Sequence, residues 1–344
     1  MPKGVQRGSK LRISAILGCA FLVGLTALAL WPSARAQSAS PAAIPAKLPL
    51  WAYPVEAPGA KHVPAAADNI PEHIPGSAAA YTPAQIRNLF AVPDWFPDSH
   101  PRMPAIVSQG RRPAPFACGY CHLPNGLGRP ENESVAGLPK EYIEEQAAAF
   151  RSGLRRSSEP KMASVTAMIA VAKAATPEEI AQAADYFSSM RLTPWIRVVE
   201  TDTVPKTRIE GGMLVVEEGA GKEPIGDRVI ETPEDLRLTE LRDSESGFIA
   251  YVPRGSLRRG KELVTTGGDG RTIPCAVCHG EDLRGLGNVP PIAGRSPSQM
   301  ARQIIDIQTG ARGGAAVALM KMPVARLTAS DIVAITGYLA SLKP

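Results

Sequence analysis

Two copies of one five-residue string constrain this chain more than any other feature. They are Cys118-Gly-Tyr-Cys121-His122 and Cys275-Ala-Val-Cys278-His279, and they hold four of the five cysteines. Cys-x-x-Cys-His is the attachment sequence of c-type haem. Two thiols at this spacing can bond the vinyl groups on one porphyrin edge, and the adjacent histidine can reach the iron. The strings therefore predict two covalently bound haem c groups.

Other uses of such cysteine pairs are a structural zinc site, a thioredoxin-like redox pair and a disulfide. A thioredoxin-like pair needs a βαβ context, which neither string has. Zinc bound by the two pairs would leave both histidines unexplained. The haem interpretation accounts for every residue, with these predicted roles: Cys118, Cys121, Cys275 and Cys278 bind the haems, and His122 and His279 bind iron.

The N-terminal residues resemble an export signal, which a c-type haem protein needs because its haem is attached outside the cytoplasm. Basic residues precede an apolar stretch from Ile13 to Trp31, and Ala34-Arg35-Ala36 is typical of a cleavage site. We therefore expect residues 1–36 to be a signal peptide and the protein to be periplasmic. The apolar stretch is close to the ~20 residues that span a bilayer, so an uncleaved membrane anchor is the alternative.

The basic character of the chain belongs to this signal. The whole chain has 38 Lys and Arg against 33 Asp and Glu, and residues 1–36 hold five of the basic residues and none of the acidic ones. The remainder is balanced, so the high isoelectric point does not indicate nucleic-acid binding.

The chain is an internal duplication. At an offset of 157 residues, Gln146 falls on Gln303 and Arg155 on Arg312. Downstream the offset is 152, because the first copy has five extra residues around 157–161. Each copy is then predicted to run through a haem string, a Gly-rich loop, an amphipathic helix (138–151 and 297–309), a loop with methionine and a closing helix (177–190 and 329–342).

This arrangement resembles the class I cytochrome c fold, and the pair of copies resembles diheme c-type cytochromes. The resemblance covers about 110–180 and 258–344. It implies a mainly α protein with two class I cytochrome c-like domains in tandem. The residues outside the repeats predict a small β-rich insertion between the domains and an extended N-terminal arm. The predicted boundaries are 1–36, signal; 37–109, arm; 110–190, first domain; 191–257, insertion; 258–344, second domain.

The resemblance also implies a methionine as the second axial ligand of each iron. By position these ligands are Met168 and Met320, with Met162 and Met322 as nearby alternatives. In this family a proline carbonyl accepts a hydrogen bond from the proximal histidine. Pro290 and Pro291 match that proline in the second domain, whereas the first domain has no proline there.

The segments outside the repeats carry weaker signals. Residues 37–110 are rich in Pro and Ala, and we expect the part before about residue 80 to be extended and to bury little apolar surface. Its histidines, at 62, 73 and 100, are expected to be solvated, with a metal site or a further haem ligand as the alternative. The insertion contains β-like runs at 195–201, 213–217, 228–231 and 248–252.

Histidine and methionine on the two sides of a haem leave no open position for a substrate. The predicted function is therefore electron transfer: a periplasmic diheme carrier that relays single electrons from a periplasmic or membrane-bound dehydrogenase or other oxidoreductase to a terminal acceptor. Such a protein is an electron carrier or a subunit of an oxidoreductase, and not itself the enzyme. The alternative is a diheme enzyme, peroxidase-like or oxidising a sulfur compound, with one open haem.

Overall fold

The fold is that of two helical copies joined by a small β-rich segment. The computed structural model describes residues 48–56 and 69–344, which belong to one compact unit. The predicted signal peptide and His62 lie outside the described residues. Among the described residues, no helix has the length and apolar character needed to cross a bilayer.

The arm contains two short helices, α1 (Pro83–Ile86) and α2 (Ala105–Ser108), and a 3-10 turn at Pro97–Ser99. The helices of the first copy are α3 (Cys118–His122), α4 (Lys140–Ser152), α5 (Ala163–Ala174) and α6 (Pro177–Ser188). The haem string thus forms its own short helix, α3. A capping box starts α6, because the Thr176 hydroxyl accepts from the Glu179 amide and Glu179 accepts from the Thr176 amide.

The insertion contains three small sheets. Its elements are β1 (Ile196–Thr201), β2 (Thr203–Pro205), β3 (Thr207–Glu210), β4 (Met213–Val216), β5 (Lys222–Pro224), β6 (Ile230–Pro233), α7 (Leu236–Glu240) and β7 (Phe248–Pro253). β7 is the central strand of the largest sheet, parallel to β1 and antiparallel to β6. β2 pairs with β5 and β3 with β4, both antiparallel. The predicted β-rich insertion is therefore present, with three short strands and a helix that the sequence pattern did not reveal.

The second copy repeats the first element by element. Its helices are α8 (Ser256–Thr266), α9 (Ala276–His279), α10 (Pro297–Thr309), α11 (Ala315–Val324) and α12 (Ala329–Ser341). α4 and α10 have the same length and lie 157 residues apart, and each ends at a left-handed glycine, Gly153 or Gly310. α6 and α12 start 152 residues apart, as the two offsets predicted.

The segments that carry the candidate methionines are helices and not the predicted loops. Met168 lies in α5 and Met320 in α11. Both segments are rich in alanine, the residue with the highest intrinsic helix propensity, which explains the difference. In α11 the helix includes Pro323 close to its end.

The arm buries more apolar surface than its composition suggested. Trp51 and Tyr53 are buried in the core cluster of the second copy, together with residues of α10 and α12. The Tyr53 hydroxyl donates a hydrogen bond of 2.8 Å to the Asp306 carboxylate. These two aromatic side chains supply contact area that holds residues 48–56 against the second copy.

The opening and closing helices of the second copy, α8 and α12, cross at very short range. A Cβ atom added to Gly260 would collide with the Ala334 carbonyl oxygen and lie 2.6 Å from the Tyr338 Cβ. The crossing therefore requires a residue without a side chain at position 260. On another part of α12, Gly337 allows similar contact with Val252 of β7. α12 is thus packed between α8 and the sheet of the insertion.

The two copies contact each other through equivalent residues. Arg155 and Arg312 form an antiparallel backbone bridge, with Arg156 N donating to Ala311 O and Gly313 N to Leu154 O. Arg155 donates to Gln146 of its own copy and to Gln303 of the other, both at 3.0 Å. Arg312 donates to Gln303 at 2.8 Å and to Gln146 at 3.0 Å. This reciprocal pattern is that of a local pseudo-twofold axis.

We expect Gly260→Ala to destabilise the protein by about 1–3 kcal/mol, the usual effect of forcing a methyl group into a close-packed crossing. Denaturant unfolding of the haem-loaded protein measures the change. The control is Lys261→Ala, at an exposed position of the same helix, which should change stability by less than about 0.5 kcal/mol. Equal free energies of unfolding for the two variants would contradict the close packing of α8 on α12 at position 260.

We expect Arg312→Lys to lower the free energy of unfolding by about 2 kcal/mol, because an ammonium group cannot keep the planar set of bonds to Gln303, Gln146 and Tyr142. Arg254→Lys is the matched control. Because the Arg254 side chain is 68% exposed and pairs with an exposed Asp202, this substitution should leave the free energy of unfolding nearly unchanged. A similar unfolding midpoint for both variants would show that the buried cluster contributes little.

Candidate functional site

The first haem string opens onto a cavity with a mostly apolar wall. Cys118, Cys121 and His122 line it from α3, and Met168 lines it from α5. The apolar part of the wall comes from α4, α5, α6 and the loop before α4, with these residues: Val135, Leu138, Tyr142, Ile143, Ala147, Phe150, Val165, Val171, Ile180 and Phe187. The structure therefore brings together all four residues predicted for the first haem.

His122 is held by a backbone acceptor. Its Nδ1 lies 2.8 Å from the carbonyl oxygen of Glu133. Because a carbonyl oxygen only accepts, Nδ1 carries the proton and the lone pair of Nε2 is left for a metal. Within the described part of the chain, no hydrogen bond involves Nε2. Burial lowers the pKa of His122, which favours the neutral, ligating form.

His279 has the same arrangement in the second copy. Its Nδ1 lies 2.8 Å from the carbonyl oxygen of Pro290, one of the two prolines that the resemblance pointed to. Burial lowers the pKa of this imidazole as well. Glu133 and Pro290 lie 157 residues apart, so the repeat offset identifies the acceptor in the first copy. Proline was the expected residue type, but a backbone carbonyl serves equally from a glutamate.

Three of the four cysteines of the haem strings are half-buried, and Cys278 is exposed. Burial raises the pKa of Cys118 to about 12 and that of Cys275 to about 11. Burial also raises the pKa of Cys121. Cysteines that act as redox nucleophiles have a lowered pKa, in electropositive and partly exposed surroundings. These three thiols therefore lack the electrostatics of a thioredoxin-like pair.

The two candidate methionines of the first copy lie in different places. Met168 is half-buried and lines the cavity with the haem string. Met162 is 2% exposed, precedes α5 and belongs to the core cluster that contains Trp51 and Tyr53. Met162 is not among the residues that line the cavity. The position of Met162 is that of a core residue, and the position of Met168 is compatible with an iron ligand.

In the second copy, Met320 and Met322 differ in a similar way. Met320 is half-buried and packs against the core cluster of the second copy, against which Cys275 and Ala276 also pack. Met322 is 71% exposed. Of the two, Met320 is the one that packs against the core of the second copy.

Polar residues of the interface between the copies form another wall of the same cavity. Arg155, Gln146, Gln303 and Arg302 all line it, so α10 of the second copy closes the cavity of the first. Burial disfavours the ionised form of Glu133, but the charges of Arg155 and Arg312 hold the pKa of this carboxyl below its usual range. This wall was missed from the sequence, apart from the alignment of Gln146 with Gln303 and of Arg155 with Arg312.

Further arginines cross the interface to reach backbone carbonyls. Arg295 donates to Ser134 O and Ala136 O, and Arg302 donates to Ala52 O and Pro130 O. Burial lowers the pKa of Arg295 to about 10, so it still carries its charge at neutral pH. The interface of the first and second copies is therefore rich in buried positive charge.

The arm histidines have separate environments. His73 is exposed, as expected. His100 is not solvated: its side chain is 3% exposed, with Nε2 at 3.0 Å from Asp94 and Nδ1 at 3.0 Å from the Tyr186 hydroxyl. Packing of the arm on α6 buries this ring. In the described part of the chain, no three His, Cys, Asp or Glu residues form a group that could hold a metal.

The residues of the first cavity fit a covalently bound haem. Two thiols and a histidine with a free Nε2 lie on one side, a thioether lies in the same lining, and apolar and aromatic side chains surround them. Guanidinium groups of the interface wall can neutralise carboxylates of the porphyrin. Aromatic and aliphatic walls with a few placed polar groups are typical of cofactor cavities.

Comparison with known proteins agrees with this chemistry. Residues 257–343 match the family model of cytochrome c. Over 234 residues the chain is 23% identical to a thiosulfate dehydrogenase electron acceptor of Thiomonas intermedia (strain K12), an alignment that covers 67% of this chain and 80% of that protein.

Solved structures with some similarity include a thiosulfate dehydrogenase of Marichromatium purpuratum, with 23% identity and a TM-score of 0.47 over 70% of this chain. The match covers 39% of that longer chain. Cytochrome c4 of Acidithiobacillus ferrooxidans has 20% identity and a TM-score of 0.42, over 65% of this chain and 98% of its own. Cytochrome c4 of Pseudomonas stutzeri has 19% identity and a TM-score of 0.42, over 65% and 93%.

The family match covers residues 257–343, which hold the second attachment string, and the first string at 118–122 repeats the same Cys-x-x-Cys-His pattern. Residues 257–343 are therefore similar to the cytochrome c family, as the sequence predicted for the second copy.

Proposed function

We propose that this chain is a periplasmic diheme electron carrier, with His122 and Met168 as axial ligands of one haem and His279 and Met320 as those of the other. The observation that carries the proposal is the common cavity of Cys118, Cys121, His122 and Met168. When bound, haem c supplies a one-electron couple, and ligation by histidine and methionine gives it a higher potential than ligation by two histidines.

The protein's own residues position and shield this couple. The Glu133 and Pro290 carbonyls orient the two imidazoles, which fixes which nitrogen faces the metal. The apolar wall excludes water, and interface arginines such as Arg155 and Arg302 offer positive charge to the propionates of the haem. α10 forms part of the first cavity, which supports transfer of electrons between the copies.

We further propose that the electron donor is an enzyme that oxidises a sulfur compound such as thiosulfate. The relative from Thiomonas intermedia, which aligns with two thirds of this chain, is described as the electron acceptor of a thiosulfate dehydrogenase. The alternative of a diheme enzyme requires an open haem. The place of Met168 in the lining of the first cavity supports a closed one.

A haem count and optical spectra test the proposed function. We expect two covalent haems per chain in a pyridine haemochrome assay, a methionine-to-iron charge-transfer band in the oxidised protein, and no spectral change when carbon monoxide is added after reduction. Both irons then have protein ligands on both sides. Carbon monoxide binding to one haem of the unmodified protein would instead favour the enzyme.

Methionine variants test the axial ligands. We expect Met168→Ala and Met320→Ala each to remove about half of the charge-transfer band and to open one haem to carbon monoxide, because each haem would lose one of its two ligands. Met162→Ala and Met322→Ala are the matched controls and should keep both features. Met162→Ala should instead destabilise the fold by about 2–5 kcal/mol, since it leaves a core cavity. Loss of the charge-transfer band in a control variant would instead identify the substituted methionine as the ligand.

A further inference from the structure

The two haem strings have very different surroundings, although the repeat makes them equivalent. Tyr120 of the first string is 9% exposed, whereas its counterpart Val277 is 66% exposed. Cys121 is half-buried and Cys278 is exposed. Downstream, residues 123–130 are all buried or half-buried, but most of their counterparts at 280–287 are exposed.

A short part of the insertion, residues 236–246, lies over the first string; we refer to it as the cap. The guanidinium carbon of Arg242 lies 3.6 Å from the centre of the Tyr120 ring, and its Nη1 donates a 2.7 Å hydrogen bond to the Tyr120 carbonyl oxygen. A guanidinium at this distance from an aromatic face makes a cation–π contact. Arg242 has a φ of 59°, a conformation that costs a bulky residue free energy.

The cap is anchored on both sides of Arg242. The Leu241 carbonyl accepts a 2.8 Å hydrogen bond from the Trp95 indole, and the Leu241 side chain is buried in a cluster with Trp95. The Ser244 carbonyl accepts a 2.5 Å hydrogen bond from the side-chain amide of Asn125, four residues after Cys121. These contacts hold the unfavourable backbone of Arg242 in place.

The arm covers the same string from another side. A Cβ atom at Gly119 would lie 3.0 Å from the Val107 carbonyl oxygen and 3.3 Å from a Val92 methyl group. Glycine therefore permits the arm to approach α3 closely. The counterpart in the second string is Ala276.

We propose that the cap closes the first domain to redox partners, so that electrons enter or leave the protein through the second domain, at the surface that holds Val277 and Leu286. The partner is a separate one-electron redox protein that makes an apolar contact with these two exposed side chains. Leu286 is 63% exposed. The inference rests on the proposed function of electron transfer.

The physical reason is distance. The rate of electron transfer between proteins falls steeply as the gap between donor and acceptor widens, so a partner must touch the edge of the protein nearest the cofactor. Redox encounters use small interfaces, and such a contact offers little free energy to displace an anchored segment. A partner could reach Tyr120 only by breaking the contacts of Arg242, Leu241 and Ser244.

Two measurements on the haem-loaded protein test the proposal. Hydroxyl-radical footprinting reports the access of water to Tyr120, independently of electron transfer. Stopped-flow mixing with Cu(I) azurin reports exchange with a protein probe: each azurin gives up one electron, becomes Cu(II), and reduces one iron(III) haem to iron(II). Rates are normalised to those with hexaammineruthenium(II), a reagent too small to need a docking surface.

Substitutions at the two haem strings show through which domain azurin exchanges electrons. Val277→Asp and Val277→Lys should each lower the azurin rate by about fivefold, because both remove a central apolar contact. Ile70→Asp, at another exposed apolar position (68%), should change it by less than about twofold. Arg242→Gly, which suits the positive φ, should increase the modification of Tyr120 and, combined with Val277→Asp, restore part of the lost azurin rate.

The proposal is overturned if Tyr120 of the unmodified protein is as reactive as in Arg242→Gly. It is also overturned if the Val277 variants keep the azurin rate, or if opening the cap restores none of it. Failure of the proposed function looks different, because carbon monoxide would then bind one haem of the reduced, unmodified protein, whatever the azurin rates of the variants.

Discussion

Two guanidinium groups at equivalent positions of the repeat, those of Arg155 and Arg312, share the same two glutamine side chains across the interface. Buried charge requires a full set of acceptors, and each copy supplies only part of that set. The pairing therefore fixes how the copies face each other. It also holds α10 against the first cavity, so residues of the interface form part of the cofactor site.

Around this symmetric centre, the additions to the repeat are all asymmetric. The arm packs on the first haem string through Val107 and on the core of the second copy through Tyr53. The insertion lies over Tyr120 and, through β7, against α12. The five extra residues of the first copy place Ser158 against Asp306 of the second, with bonds of 2.8 and 2.6 Å. Two similar domains thus acquire different exposures to solvent.

Much of this architecture was predictable, because the signals are local or repeated. The bounds of α10 agree with the predicted helix, and the carbonyl that accepts from His279 belongs to Pro290, within the predicted pair of prolines. The methionine segments were expected to be loops, although both are rich in alanine, a strong helix former. The contacts of Tyr53 and His100 were missed for another reason. Each depends on partners far away in the sequence, at Asp306 and Tyr186, that no local pattern shows.

The hydrogen bond from Tyr53 to Asp306 joins residues 253 positions apart. Asp306 also accepts both bonds from Ser158, and the core of the second copy includes Trp51 and Met162. The boundary of the family match is therefore not a folding boundary. A fragment limited to 257–343 would lose part of its core and leave a buried carboxylate without three donors. Contacts of such long sequence separation require the closure of a long loop, so the core of the second copy is complete only when the earliest described residues return to it.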